Sequence, residues 1–265
     1  MSVTGEDVSP EGPAGAVRAS SVSEICWVDA AGAPRARGVV TLLHEDRPAL
    51  AFTYADEQVA RDVAAAGEVR LVLSEPRSTG SGFVPLVVTG RPRLVEDPRG
   101  ELYLAELVTQ ELHRYPPSRV FADSPLLMRE HWWYLPRLVV EIEVDAVQPF
   151  EARTAPHDHL LVVAERDRPA VRAAGVVEHT SDRLVLAVEG PPAPAGRALL
   201  FGQDASFPDL EQWEQWGYRG RWADPVLTVE EPPASTGLGR PPGLVQRWRR
   251  QRALERACTE AIPRT

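Results

Sequence analysis

The chain is 265 residues long, 43% hydrophobic and 25% charged, which is the composition of an ordinary globular protein rather than a disordered or fibrous one. The length allows one large or two small domains. The net charge of −9 and a pI near 5.3 argue against general nucleic-acid binding, because neutralising phosphates takes a basic face. All 29 basic residues are arginine, which excludes a lysine Schiff base, a lysine nucleophile and a Walker-type phosphate loop. Asparagine is absent too, a bias that a GC-rich bacterial genome produces. Cys26 and Cys258 are too few and too far apart for a disulfide framework.

Residues 1–19 are rich in Gly, Pro, Ser and acidic side chains and read as a flexible tail with no apolar signal-peptide core. No apolar run approaches the roughly 18 residues of a bilayer span, so neither a membrane nor a nucleic-acid partner is expected and a cytoplasmic location is. The next stretch predicts strands at 25–28, 37–43 and 49–53, with Gly32 supplying the positive φ of a tight hairpin. Residues 56–66 have helical spacing, with Val59, Ala60, Val63 and Ala64 on one face. Strands follow at 69–73 and 84–95 across a Ser/Gly-rich loop, in which Gly80, Ser81 and Gly82 lack the frame of a nucleophile elbow. Residues 101–113 form an amphipathic helix stopped by Pro116 and Pro117. From 131 to 150 the pattern returns to strand, with Leu138, Val140, Ile142 and Val144 alternating against Glu141, Glu143 and Asp145 on a wet face. The fold class is therefore mainly β with α additions, an antiparallel barrel.

The second half repeats the first weakly. R-A-R-G-V-V from Arg35 lines up with R-A-A-G-V-V from Arg172, and the strand at 69–73 finds an echo at 197–201. Gly90 and Arg91 match Gly220 and Arg221, while a Gly/Pro-rich run at 190–196 stands where the first half has a helix. A degenerate second half at 151–231 is expected, then a Pro/Gly-rich linker at 232–243 and a basic amphipathic helix at 244–265. Leu244, Trp248, Cys258 and Ile262 would form its apolar stripe. Its seven arginines from residue 240 onward outnumber two glutamates, which favours docking on the acidic body of the same chain.

The succession of an R-x-R-G-V-V-T-L strand, an A-F-T-Y-A-D strand, a short helix and a V-R-L-V-L strand resembles the FMN-binding split β-barrel group, the pyridoxamine 5′-phosphate oxidase-like proteins. The V-T-G-R-P-R-L-V-E-D-P strand and the R-E-H-W-W-Y-L-P-R run from Arg129 to Arg137 fit the same group and its actinobacterial members. The resemblance covers residues 20–150. It implies a split β-barrel in which paired barrels hold FMN or a deazaflavin between them, here as an internal pseudo-dimer or a homodimer. It implies an oxidoreductase acting on a small-molecule substrate through the flavin.

Carried over residue by residue, Arg37 holds the flavin phosphate, and Val39, Val40 and Thr41 run beside the ring. Thr53 closes the next strand at the phosphate, and Trp132, with Trp133 and Tyr134, offers a stacking surface. The group's serine and basic pair after the threonine strand read here as Glu57, Gln58 and Val59, and Glu57 opposes a phosphate at that helix start. Arg61 reaching back would compensate; otherwise the flavin is lost and a ligand-binding or interaction scaffold without catalysis remains. Haem is a further alternative, with His131, His157 or His159 as ligands. No general acid stands out, with His44 and His131 as candidates, and the H-D-H of 157–159 lacks a third metal ligand. Trp213, Trp216, Tyr218 and Trp222, interleaved with Arg219 and Arg221, read as core or interface rather than a base-stacking platform.

Overall fold

A computed structural model of the chain describes residues 12–78, 84–155 and 158–263. The first barrel is built from β1 (Ser23–Val28), β2 (Pro34–Val39), β3 (Thr41–His44), β4 (Arg47–Thr53), β5 (Val69–Leu73), β6 (Leu86–Asp97) and β7 (Arg137–Pro149). Helix α1 (Gly12–Ala19) precedes it and α2 (Glu57–Ala65) links β4 to β5. Helices α3 (Val108–Arg114), α4 (Arg119–Ala122) and α5 (Pro125–Glu130) lie between β6 and β7. The β1–β2 hairpin closes as its sequence predicts: Gly32 takes φ +69, and the Asp29 carboxylate accepts from the Ala31 and Ala33 amides at 2.9 Å each.

All seven strands are antiparallel, in the order β2-β1-β5-β6-β7-β4-β3. β2 and β3 sit at opposite edges, yet only Val40 separates them in the chain. The sheet therefore curls until its edges meet, and one bent strand serves both: Val39 pairs with Ser23 on one side and Thr41 with Leu50 on the other. This is a barrel split at Val40, closed there by the covalent chain rather than by a ladder. Its interior holds Ile25, Leu50, Phe52, Leu71, Leu138, Val140 and Ile142.

The second barrel contains β8 (His159–Glu165), β9 (Arg168–His179), β10 (Arg183–Val188), β11 (Gly196–Ala205), β12 (Trp213–Ala223) and β13 (Val226–Glu231), closed in the order β10-β13-β12-β11-β8-β9. With β2 and β3 taken as one strand, the two barrels have the same cyclic order, strand for strand. The weak repeat falls on this match, with β2 opposite β9 and β5 opposite β11. Gly90 and Gly220 each sit at a register shift in the matched strands β6 and β12. At both, an added Cβ would collide with a carbonyl of the neighbouring strand, Glu143 O and Thr228 O respectively. β2 packs on β8 and β11, and β9 packs on β1 and β5. Exchanging matched strands turns one set of contacts into the other, the mark of a two-fold interface. Its apolar centre joins Cys26, Val72 and Val87 to Leu160, Val162, Leu199 and Phe201.

Four expectations need correction. Part of the supposed tail is ordered: α1 buries Gly15, Ala16 and Val17 and packs on β3 and β4, because small side chains allow close approach; residues 1–11 lie outside the described residues. Residues 131–136 are a turn and a short 3-10 helix (Trp132–Tyr134) rather than strand, since Pro136 lacks the amide a ladder needs. Glu141 is not on a wet face; it is 1% exposed and takes His44 at 2.7 Å and Arg93 at 2.6 Å. In the C-terminal helix α6 (Leu244–Ala261), Cys258 is buried and Ile262 packs with it, but Leu244 and Trp248 are exposed. Arg247 pairs with Glu211 at 3.1 Å and Arg250 approaches Glu214 at 4.0 Å, so basic side chains of the helix do lean on acidic groups of the second barrel. Among the described residues no helix is long and apolar enough to cross a membrane.

The bulge glycines give a test of the matched strands. Gly220→Ala and Gly90→Ala should each lower the urea midpoint by an equivalent of about 1–3 kcal/mol, the usual cost of overpacking. Unchanged midpoints would show that neither bulge needs its glycine.

Candidate functional site

A cavity of about 240 Å³ lies where β2, β3 and β4 of the first barrel meet α3 and the β12 strand of the second. The break at Val40 creates it: a strand that changes partners at one residue leaves a stretch of its edge unpaired. Arg37, Val39, Val40 and Thr53 all line this cavity. The other expected site residues do not. Thr41 is buried and its hydroxyl donates to Ser23 Oγ at 2.8 Å. Arg61 is held by Glu57 at 2.8 Å and Glu96 at 3.0 Å, so it does not reach back. Trp132 is 54% exposed, away from the cavity, while its neighbour Tyr134 turns inward to line it.

Two arginine–carboxylate pairs give the site its charge. Arg37 Nη2 lies 2.7 Å from Asp56 Oδ1, at the start of α2. Deeper, Arg137 is fully buried, with its guanidinium 3.9 Å from the Tyr103 ring centre and 4.2 Å from that of Tyr134. Its Nη2 lies 3.7 Å from Glu111 Oε1, to which the Tyr134 hydroxyl donates at 2.6 Å. Burial works against the charge on Arg137, but Tyr103, Glu111 and Tyr134 outweigh it and raise its pKa. Burial and the Glu111 carboxylate push Tyr134 well above the usual phenol range, so it stays a neutral donor. Two cations facing two carboxylates leave the cavity close to neutral.

The second barrel supplies the remaining wall. The Gln215 side chain reads both backbone groups of Gly38: its Oε1 accepts from the Gly38 amide at 3.0 Å, and its Nε2 donates to the Gly38 carbonyl at 3.2 Å. The approach needs glycine, because a Cβ there would collide with Gln203 Oε1 and stand 2.8 Å from Trp213 Cζ2. Trp213 donates from Nε1 to Gln203 Oε1 at 2.9 Å and lines the cavity beside Gln215. Of the tryptophan-rich run, only Trp213 reaches the cavity; Trp222 is in the core of the second barrel.

Asp56, Glu111, Arg137, Trp213 and Gln215 were not legible as site residues. Arg137 ends the quoted R-E-H-W-W-Y-L-P-R run and so carried a trace of signal, as did the acidic start of α2; Trp213 stood in the aromatic run read as core or interface, and Gln215 carried no signal. The two haem-ligand candidates among the described residues, His131 and His159, each have a partner within the chain. His131 Nδ1 meets Leu127 O at 3.1 Å and its Nε2 meets Gln251 at 3.4 Å. His159 lies in the second barrel beside Asp158 at 2.6 Å, its pKa lowered by burial. His157 and the loop of Gly80, Ser81 and Gly82 lie outside the described residues. His44 is spent on Glu141 away from the cavity. Among the described residues there is no cluster of three or more metal-ligating side chains.

No protein-family model matches the sequence, and no curated protein matches it. Several solved structures overlap about half of the chain. An F420 reductase is 20% identical, with 53% of this chain and 98% of that one covered at a TM-score of 0.37. The haem storage protein HutZ of Vibrio cholerae is 12% identical over 54% and 95%, TM-score 0.37. A putative pyridoxamine 5′-phosphate oxidase of Listeria innocua is 15% identical over 52% and 94%, TM-score 0.34. Overlaps at this level say nothing about ligand or activity.

The two parts of FMN fare differently against these residues. A ring system suits a cavity of about 240 Å³ walled by Val39, Val40 and Phe52, which is smaller than the roughly 300–1,000 Å³ that encloses a whole drug-sized ligand. The phosphate does not fit: Asp56 already neutralises Arg37, and Glu57 and Glu96 hold Arg61. A dianion placed there meets three carboxylates and two occupied guanidiniums.

The buried pair makes a firm stability prediction. Arg137→Met leaves Glu111 without its cation and should cost about 3–5 kcal/mol in urea unfolding, with Glu111→Gln in the same chain restoring part of the loss. A loss below the error of the measurement would mean that Glu111 is satisfied without Arg137.

Proposed function

We propose that the cavity binds an uncharged planar heteroaromatic ring of the flavin or deazaflavin type. On this reading the chain is a pyridoxamine 5′-phosphate oxidase-like oxidoreductase whose site no longer recognises a cofactor phosphate. The carrying observation is that Arg37, Val39 and Val40 from one bent strand and Thr53 from the end of the next line one cavity. When bound, such a ring supplies hydride or single-electron transfer. The chain's own part is position and polarity. Val39, Val40 and Phe52 exclude water, Trp213 and Gln215 cover the open side, and the paired charges present donors and acceptors without net charge, which suits the amide-like edge of a neutral heterocycle better than an anion. Glu111, hydrogen-bonded by Tyr134, is a carboxylate within the cavity wall able to accept a proton.

A second reading, a binding scaffold without redox chemistry, is favoured by one feature: Gln215 occupies both backbone groups of Gly38 on the strand that would run beside the ring.

Absorption and fluorescence titrations of the purified chain with riboflavin and with FMN separate the two. Riboflavin should bind as well as or better than FMN, and Arg37→Ala should weaken both. Asp56→Asn should improve FMN alone, by about tenfold, or ~1.4 kcal/mol. FMN binding far tighter than riboflavin would show that the phosphate is recognised after all; a colourless protein that takes up neither ring leaves the scaffold.

A further inference from the structure

We propose that the C-terminal helix α6 joins two copies of the chain: its outward face packs antiparallel on the same face of a second copy, with Arg252 of each copy against Glu255 of the other. This surface is separate from the cavity, and the association does not depend on what the cavity binds.

The helix turns one side to the body and the other to solvent. On the inner side Cys258 is buried with Leu254 and Ile262 packed beside it, Gln251 reaches His131 at 3.4 Å, and Arg247 and Arg250 lean on Glu211 and Glu214. At about 100° per residue, Val245, Trp248, Arg249, Glu255, Arg256 and Thr259 all lie within about 60° of Arg252 on the opposite side. The first two turns there carry an apolar strip, with Leu244 84%, Val245 64% and Trp248 58% exposed. A groove of about 510 Å³ continues the strip, lined by Trp248, Arg252, Glu255, Arg256, Thr259 and Glu260. A contiguous apolar strip with a polar border marks a contact surface, where single exposed side chains do not.

Charge on this face is largely unspent within the chain. Arg252 pairs with Glu255 of its own helix at 3.0 Å, and its guanidinium lies 5.7 Å from the Trp248 ring centre. Arg256 donates to the Arg252 carbonyl at 3.3 Å. Among the described residues, Arg249, Arg256 and Glu260 have no ion-pair partner, whereas Arg247 and Arg250 on the inner side each have one. The signs are ordered along the helix: Arg249 and Arg252 stand toward its start, Glu255 and Glu260 toward its end.

That order is complementary to itself when reversed. In an antiparallel pair with Arg252 opposite Glu255 of the second copy, Arg249 comes beside Glu260 and Trp248 lies over Thr259, and the two-fold axis makes each contact twice. A register that set Arg252 on Arg252 would lose these pairs, so charge selects one alignment. The same carboxylates argue against a membrane as occupant, because Glu255 and Glu260 oppose a surface of anionic headgroups. The barrel faces that a second copy could otherwise use are filled within the chain, which leaves the helix. One pair of 18-residue helices, each about 27 Å long, makes a small interface of the weakly associating class.

Sedimentation velocity of the full chain, from about 1 to about 200 μM, reads the association directly. The wild type should pass from monomer to dimer within that range, and Trp248→Ala should weaken the dimer by about tenfold. Arg252→Glu and Glu255→Arg should each weaken it by about tenfold or more, because each sets two like-charged pairs in the contact. Mixed in equal amounts, these two variants should form the dimer again, as should a chain that carries both substitutions; a helix that had merely lost its fold would not recover on mixing. A chain that stays monomeric throughout overturns the proposal, whether or not it sediments on phosphatidylglycerol vesicles. So does a dimer that both charge variants leave unchanged.

Discussion

At Gly38 a side-chain amide from the second barrel takes the place of a neighbouring strand, and much of the molecule depends on that substitution. A bent strand that pairs with β1 before Val40 and with β4 after it must leave some of its edge without a ladder. Unpaired backbone groups in a buried setting are costly. Gln215 satisfies one amide and one carbonyl at once, and the missing Cβ allows Gln203 and Trp213 to close over the same spot. The contact joins the barrels, completes the cavity and keeps water from the strand.

The two barrels share a winding order but divide the work. Only the first carries helices between its strands, and these supply Asp56 at the start of α2 and Glu111 on α3, the two carboxylates of the cavity. In the second barrel the corresponding links are the loop at 189–195 and the short turn before β13. It contributes flat strand surface: an apolar patch against Cys26 and Val72, and the polar run of Gln203, Trp213 and Gln215. One barrel is thus the bowl and the other its cover, so the cavity has no counterpart built from the same residue types on β9, where Ala174 stands opposite Arg37 in the repeat.

Charge at the cavity and in the barrel interface beyond it is arranged by pairing. Each cation at the cavity has its own carboxylate, and in the interface beyond it Arg153 holds Glu24 while Glu75 is shared between Arg153 and Arg77. In a chain without lysine every one of these cations is a guanidinium, which stays charged when buried and stacks on aromatic rings, as Arg137 does between Tyr103 and Tyr134.

The sequence by itself determined most of the strands, the hairpin at Gly32 and the repeat, because alternation and turn chemistry are properties of neighbouring residues; that Gly90 and Gly220 sit at bulges came from the structure. It also picked out Arg37, Val39, Val40 and Thr53, which lie on adjoining strands close in the chain. Thr41 and Trp132, which it also named, do not line the cavity, since one residue along a bent strand or a turn reverses the direction of a side chain. Tertiary structure alone decided the rest. Gln215 meets Gly38 across 177 residues, and Gln203 meets Glu24 across 179, separations over which no local spacing carries information. Asp56 could be seen as acidic, but that it neutralises Arg37 depends on how the end of β4 folds back toward β2. The value of a charge is set by its neighbours in space, and the barrel contact chooses them.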